Sequence, residues 1–146
     1  MKQLITIIIY VCFTVNAFSQ VKTNKMKIAA NTTEEVIKQF NESFRIHDIS
    51  ILNNLIAENC VMESTAKDSR TVGKIDCIDF WQQLIEAKDT QFTTESVTVM
   101  GEKAIILWRY QWAPEEENSV RGVNIMTVKN GLITEALGYV KILPTK

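Results

Sequence analysis

Trp108, Tyr110 and Trp112 stand at alternate positions in the stretch AIILWRYQWA, Ala104 to Ala113, and hold two of the chain's three tryptophans. A period of two belongs to a β-strand, so the three rings share one face of a sheet. Indoles and a phenol on one face can close a core or bury the apolar body of a ligand. The other residues with chemistry to offer are few. His47 is the only histidine; with no Cys/His cluster beside it, neither a metal site nor a cofactor is expected. Cys60 and Cys77 lie beyond the leader described below. An exported protein could pair them, and the alternative is two buried free thiols.

The elements that must position these side chains begin after a leader. Met1-Lys2 is followed by an apolar run from Leu4 to Val15 and by small residues at Ala17 and Ser19. This reads as a secretory signal peptide over residues 1–19, cleaved before Gln20. The apolar run is shorter than the about 20 residues of a membrane span, so no lasting membrane anchor is expected. Cys12 lies inside that run, away from a lipidation box. The mature chain is expected to work in the periplasm or outside the cell. A polar linker over residues 20–31 precedes a single domain, 32–146, long enough to bury a core without staples. The formal net charge is −1, with mixed signs and no basic stripe, which argues against nucleic acid as a partner.

Thr32 and Glu35 have capping-box spacing, and Ile37, Phe40 and Phe44 follow at helical period, predicting a first helix to about Ile46. Asp48 caps a second, shorter helix that turns Ile49, Leu52, Leu55 and Ile56 inward. Cys60 to Ser64 reads as a strand and Lys67 to Arg70 as a polar loop. Gly73 precedes a third helix with Ile78, Trp81 and Leu84 or Ile85 inward. The period then becomes two, giving strands Gln91–Met100, Lys103–Ala113, Ser119–Val128 and Leu132–Ile142. Asn130-Gly131 is a strong two-residue hairpin signal. Helices first and strands afterwards make an α+β domain.

An antiparallel sheet with one wet face alternates cleanly; this one carries apolar residues on both. Ile106, Trp108, Tyr110 and Trp112 occupy one face, while Ile105, Leu107, Val123, Ile125, Leu137 and Tyr139 occupy the other. Helices can cover the first. The second would leave a patch larger than monomers tolerate, so a homodimer through that face is expected.

The stretches DISILNNLIAENCVMES (Asp48–Ser64), VGKIDCIDFW (Val72–Trp81) and VNIMTVKNGLITEALGYVK (Val123–Lys141), in this order and spacing, resemble the nuclear transport factor 2-like superfamily. Its members include the SnoaL-like polyketide cyclases and the ketosteroid isomerases. The resemblance covers residues 33 to 142 and implies a cone: a curved antiparallel sheet with three helices on its concave face and a pocket at the open end. It puts Trp108, Tyr110 and Trp112 on the concave face, opposite Trp81.

The isomerases' helix tyrosine, base aspartate and proton-donating late-strand acid fall, in this register, on Phe40, Ser64 and Asn124. Phe40 has no hydroxyl, and Ser64 cannot abstract a proton from carbon without a base of its own. Asn124 can still donate a hydrogen bond to a carbonyl oxygen. Arg109, on the opposite face from Trp108 and without flanking acids, does not make the epoxide-hydrolase arrangement. The pocket implied by the resemblance thus comprises Phe40, Met62, Ser64, Trp81, Trp108, Tyr110, Trp112 and Asn124. Glu63 is the weak catalytic candidate, since a one-residue slip would turn it inward; His47 reads as a capping or surface residue. Arg121 reads as a rim residue paired with Glu115 to Glu117. Two functions follow: an exported protein that binds a small apolar molecule, or an isomerase, cyclase or dehydratase acting on a hydrophobic carbonyl compound with Glu63 as base.

Overall fold

In the computed structural model, which describes residues 31–64, 69–113 and 118–141, the first element is helix α1 (Thr33–Arg45). The capping box is complete: the Glu35 amide donates to the Thr32 hydroxyl at 3.2 Å, and the Thr32 amide donates to the Glu35 carboxylate at 2.8 Å. The Thr32 amide and hydroxyl, both donating to that carboxylate, hold the Glu35 carboxyl below the usual range. Val36, Ile37, Phe40 and Phe44 form the buried stripe. The expected leader and the linker up to residue 30 lie outside the described residues.

The second helix is a 3-10 helix, Ile49–Asn54, and not an α-helix. Its apolar residues explain the difference: Ile49, Leu52 and Leu55 recur every third residue, the period that a 3-10 turn lines up on one side. Leu52 and Leu55 are fully buried. The Asp48 carboxylate caps this helix by accepting from the Ser50 amide at 2.9 Å. His47, in the left-handed region at φ 57°, donates from Nδ1 to the Ile85 carbonyl at 2.5 Å. It thereby ties the end of α1 to the end of α2 (Lys74–Ile85).

Strand β1 (Ile56–Ser64) starts earlier than Cys60, and Ser69 and Arg70, expected at the end of a polar loop, open a short strand β2 (Ser69–Val72), while Lys67 and Asp68 lie outside the described residues. After α2 come β3 (Gln91–Met100), β4 (Lys103–Gln111), β5 (Ser119–Lys129) and β6 (Leu132–Lys141). The strands form one six-stranded sheet in the order β2-β1-β6-β5-β4-β3. It is mixed and not purely antiparallel, because β1 pairs parallel to β6. This pairing joins the two ends of the domain, which no local pattern encodes. The β5–β6 hairpin closes through Asn130 (φ 52°) and Gly131 (φ 78°), both left-handed as a type I′ turn needs.

The curved sheet turns Ala104, Ile106, Trp108, Met126 and Ala136 into the core with the helices. Its outer face carries two apolar rows that cross β4, β5 and β6: Ile105–Ile125–Leu137 and Leu107–Val123–Tyr139. Leu107 and Tyr139 are each 45% exposed. Beyond them Arg109 faces Arg121 across the β4–β5 ladder. Like charges so placed repel, and Glu95, at a register shift in β3, answers both. Its Oε1 lies 2.8 Å from Arg121 and 3.4 Å from Arg109. The Arg121 hydrogen bond, helped by Arg109, keeps the Glu95 carboxyl below the usual range. The expected partners of Arg121, Glu115 to Glu117, fall outside the described residues.

Two packing details generate tests. A Cβ on Gly122 would overlap the Trp108 indole and sit 2.6 Å from the Tyr139 carbonyl oxygen. Gly122→Ala should therefore cost about 1–3 kcal/mol, the usual range for overpacking, as a lower urea midpoint at unchanged slope. The two thiols are free and buried, on β1 and α2, with Cys77 Sγ 3.7 Å from the Cys60 carbonyl oxygen. Burial, reinforced by Cys77, pushes the Cys60 thiol up to about 12 from 9.0. A folded-state value raised in this way contributes stability below pH 9 that is lost as the pH climbs toward 12. Iodoacetamide at pH 8.5 should leave native Cys60 unmodified and label it promptly in guanidinium chloride; equal labelling rates would contradict the burial.

Candidate functional site

The helices do not fill the space over the sheet. Where α2 and the 92-to-110 hairpin diverge, a cavity of about 290 Å³ opens, walled mainly by apolar side chains. Its floor comes from alternate residues of neighbouring strands: Met62 and Ser64 on β1, Ala136, Gly138 and Val140 on β6, Val120, Asn124 and Met126 on β5, Trp108 and Tyr110 on β4. Phe80, Trp81, Gln83 and Leu84 of α2, with Phe44 of α1 and Phe92 of β3, make the rest.

Six of the residues expected at a pocket line this cavity: Met62, Ser64, Trp81, Trp108, Tyr110 and Asn124. Phe40 does not. It is fully buried one layer deeper, its ring 5.2 Å from that of Trp81 and 5.1 Å from that of Phe44. Trp112 does not either. The strand ends at Gln111, which pairs with Ser119, the first residue of β5, so alternation no longer governs the next side chain. Trp112 sits at the rim, 45% exposed, its ring 6.4 Å from Tyr110.

Glu63 borders the cavity, but its carboxylate lies 3.6 Å from Arg70 of β2, both side chains more than half exposed. Between inward Met62 and Ser64, its side chain leaves the sheet on the outer face. Its main-chain carbonyl remains close to Gly138. His47 is committed to Ile85, and Arg109 and Arg121 to Glu95 on the outer face. Among the described residues, no three His, Cys, Asp or Glu side chains gather as metal ligands.

Among the wall residues that sequence reasoning missed are Phe44, Phe80, Phe92 and Gly138. Strand parity in β3, opposite Tyr110, would have found Phe92, and the i, i+3 step from Phe80 to Gln83 marks one helix face. What results is an aromatic box whose described polar side chains, Glu63 apart, are the Asn124 and Gln83 amides, the Ser64 and Tyr110 hydroxyls and the Trp108 indole N–H. Such a site can bury apolar area at roughly 25 cal/mol per Å² and orient one polar group.

A sequence profile for the SnoaL-like domain matches residues 37–136. A nuclear transport factor 2-like protein of unknown function from Mesorhizobium loti is 43% identical, at a TM-score of 0.70 over 75% of this chain and 91% of that one. A candidate ketosteroid isomerase from Kribbella flavida shares the fold at 18% identity and a TM-score of 0.68, covering 80% and 84% of the two chains. A candidate SnoaL-like polyketide cyclase from Shewanella denitrificans does so at 16% identity and 0.62, covering 75% and 90%. Comparison with curated protein sequences gave no match. The α+β architecture, the profile and the Mesorhizobium relative agree: this chain belongs to the SnoaL-like family of the nuclear transport factor 2-like superfamily.

Proposed function

We propose that this protein binds a small, largely apolar molecule in the aromatic cavity and does not isomerise it. The observation that carries the reading is the cavity's wall: Trp81, Trp108 and Tyr110 stand around Asn124 and Ser64, while the one carboxylate among the described lining residues, Glu63, is paired with Arg70 outside. Without a positioned base, proton abstraction forgoes a factor of about 10² to 10⁴. Trp112, at the rim, meets the ligand on entry and not in the bound state. The alternative, isomerase, cyclase or dehydratase chemistry with Glu63 as base, needs that carboxylate to leave Arg70 and cross the sheet.

The leader supports export of the mature chain to the periplasm or medium. The two outer rows, Ile105–Ile125–Leu137 and Leu107–Val123–Tyr139, support a homodimer through the convex face. A two-fold interface uses the same patch on both copies, and a second copy would withdraw both rows from water.

Tryptophan emission should shift on addition of hydrophobic carbonyl compounds. Asn124→Ala should weaken their binding by about 0.5–1.5 kcal/mol, the worth of one hydrogen bond, and leave pure hydrocarbons unaffected. Turnover of an enone by the purified protein, abolished in Glu63→Gln, would replace this reading with the enzymatic one. In sedimentation equilibrium the mature chain should run as a dimer and Leu107→Asp as a monomer; a wild-type monomer at micromolar concentration refutes the dimer.

A further inference from the structure

We infer that Gly138 sets which ligands the cavity accepts, by holding open a notch that takes one uncharged polar group. The inference rests on the binding reading above. Ser64 of β1 is opposite Gly138 of β6, and Gly138 is opposite Asn124 of β5. The three residues therefore form one row across three neighbouring strands, on the inner face, and all three line the cavity. Strands lie about 4.8 Å apart, so the outer two residues of the row are about 10 Å apart at Cα. Only their middle neighbour lacks a side chain.

Gly138 is not kept small by crowding. A Cβ there would be 3.4 Å from Asn124 Oδ1 and 3.6 Å from the Glu63 carbonyl oxygen, which are ordinary contact distances. Gly122, by contrast, is held small by the Trp108 indole. The space at Gly138 is thus not demanded by packing. It is bounded by the Asn124 amide oxygen on one side and the Glu63 carbonyl at its edge, with Ser64 next in the row.

The chemistry of that boundary selects the occupant. The two oxygens at the notch, Asn124 Oδ1 and the Glu63 carbonyl, both accept, which suits a hydroxyl donor. Among the described lining residues there is no Lys, Arg or His to neutralise a carboxylate, and a buried unpaired charge is costly. The ligand's apolar body then extends toward Trp108, Tyr110 and Trp81.

Three probes of one shape test the notch by titration calorimetry near neutral pH: toluene, p-cresol and 4-methylbenzoate. The wild type should bind p-cresol about fivefold more tightly than toluene, as one net hydrogen bond implies, and 4-methylbenzoate the most weakly. In Gly138→Ala, p-cresol should fall to the affinity of toluene, while toluene stays within about twofold of wild type. Thermal melting of the variant checks that it folds. Asn124→Leu, which leaves Gly138 in place, should also lose the preference for p-cresol. If toluene and p-cresol bind but Gly138→Ala keeps their ratio, the notch is overturned and the binding reading stands. If 4-methylbenzoate binds as well as p-cresol, the selection of an uncharged group is overturned. If no probe binds the wild type, the binding reading fails and the notch with it.

Discussion

A chain of ring contacts joins every layer of this fold. Trp108 lies across Gly122 on the inner face of the sheet; Phe92 of β3 meets it at 5.3 Å between ring centres, and Phe44 of α1 meets Phe92 at 4.7 Å. Phe40 continues the chain at 5.1 Å and passes it to Trp81 of α2 at 5.2 Å, edge-on. Rings are stiff and wide, so this sequence of tilted contacts props the helices at a fixed stand-off from the strands. Side chains of that size cannot also taper to close the far end. The cavity is the consequence: a core assembled around aromatic struts leaves room beside them, and the same rings form its wall.

The second constraint closes the sheet. β1 and β6 come from opposite ends of the domain and run parallel, with the Ile133 amide donating to the Leu55 carbonyl at 2.7 Å where the 3-10 helix hands over to β1. The central row Ser64–Gly138–Asn124 exists only because this pairing is made, since its members come from three separate stretches of chain. Loss of the parallel pairing would remove β1, and Met62 and Ser64 with it, from the wall.

How much of this was legible depended on whether the signal was local. The capping box of α1, the Asn130-Gly131 turn and the alternation of β4 are short-range, and each is found where the residues say. The 3-10 geometry of Ile49–Asn54 was also written in the three-residue spacing of Ile49, Leu52 and Leu55, which a helical reading absorbs without distinguishing. The parallel β1–β6 ladder depends on partners far apart along the chain, whereas β2 pairs with the adjoining β1, Ser64 opposite Ser69, and at 4 residues carries too short a pattern to read. The site divides in the same manner: parity put Trp108 and Tyr110 on one face and the family resemblance turned that face and Asn124 inward, but parity carried Trp112 one step past the end of the strand. Phe40 is inward as its helix period implies, yet depth within a core is a matter of what lies in front of it, here Trp81 and Phe44.

Strand register finally ties the chemistry to the stability. Turning Glu63 inward by a one-residue slip of β1 would turn Cys60 and Met62 outward together with Ser64, because side chains alternate from Cys60 to Ser64. Cys60 is fully buried and Met62 nearly so, and both belong to the core cluster. The slip would also break the antiparallel match of Glu63 with Arg70 and the parallel match of Ser64 with Gly138. Each exposed core side chain forfeits about 1.5–3 kcal/mol of burial, against a total stability of only about 5–15 kcal/mol for a typical domain. The packing that makes the cavity therefore also holds the Glu63 carboxylate out of it.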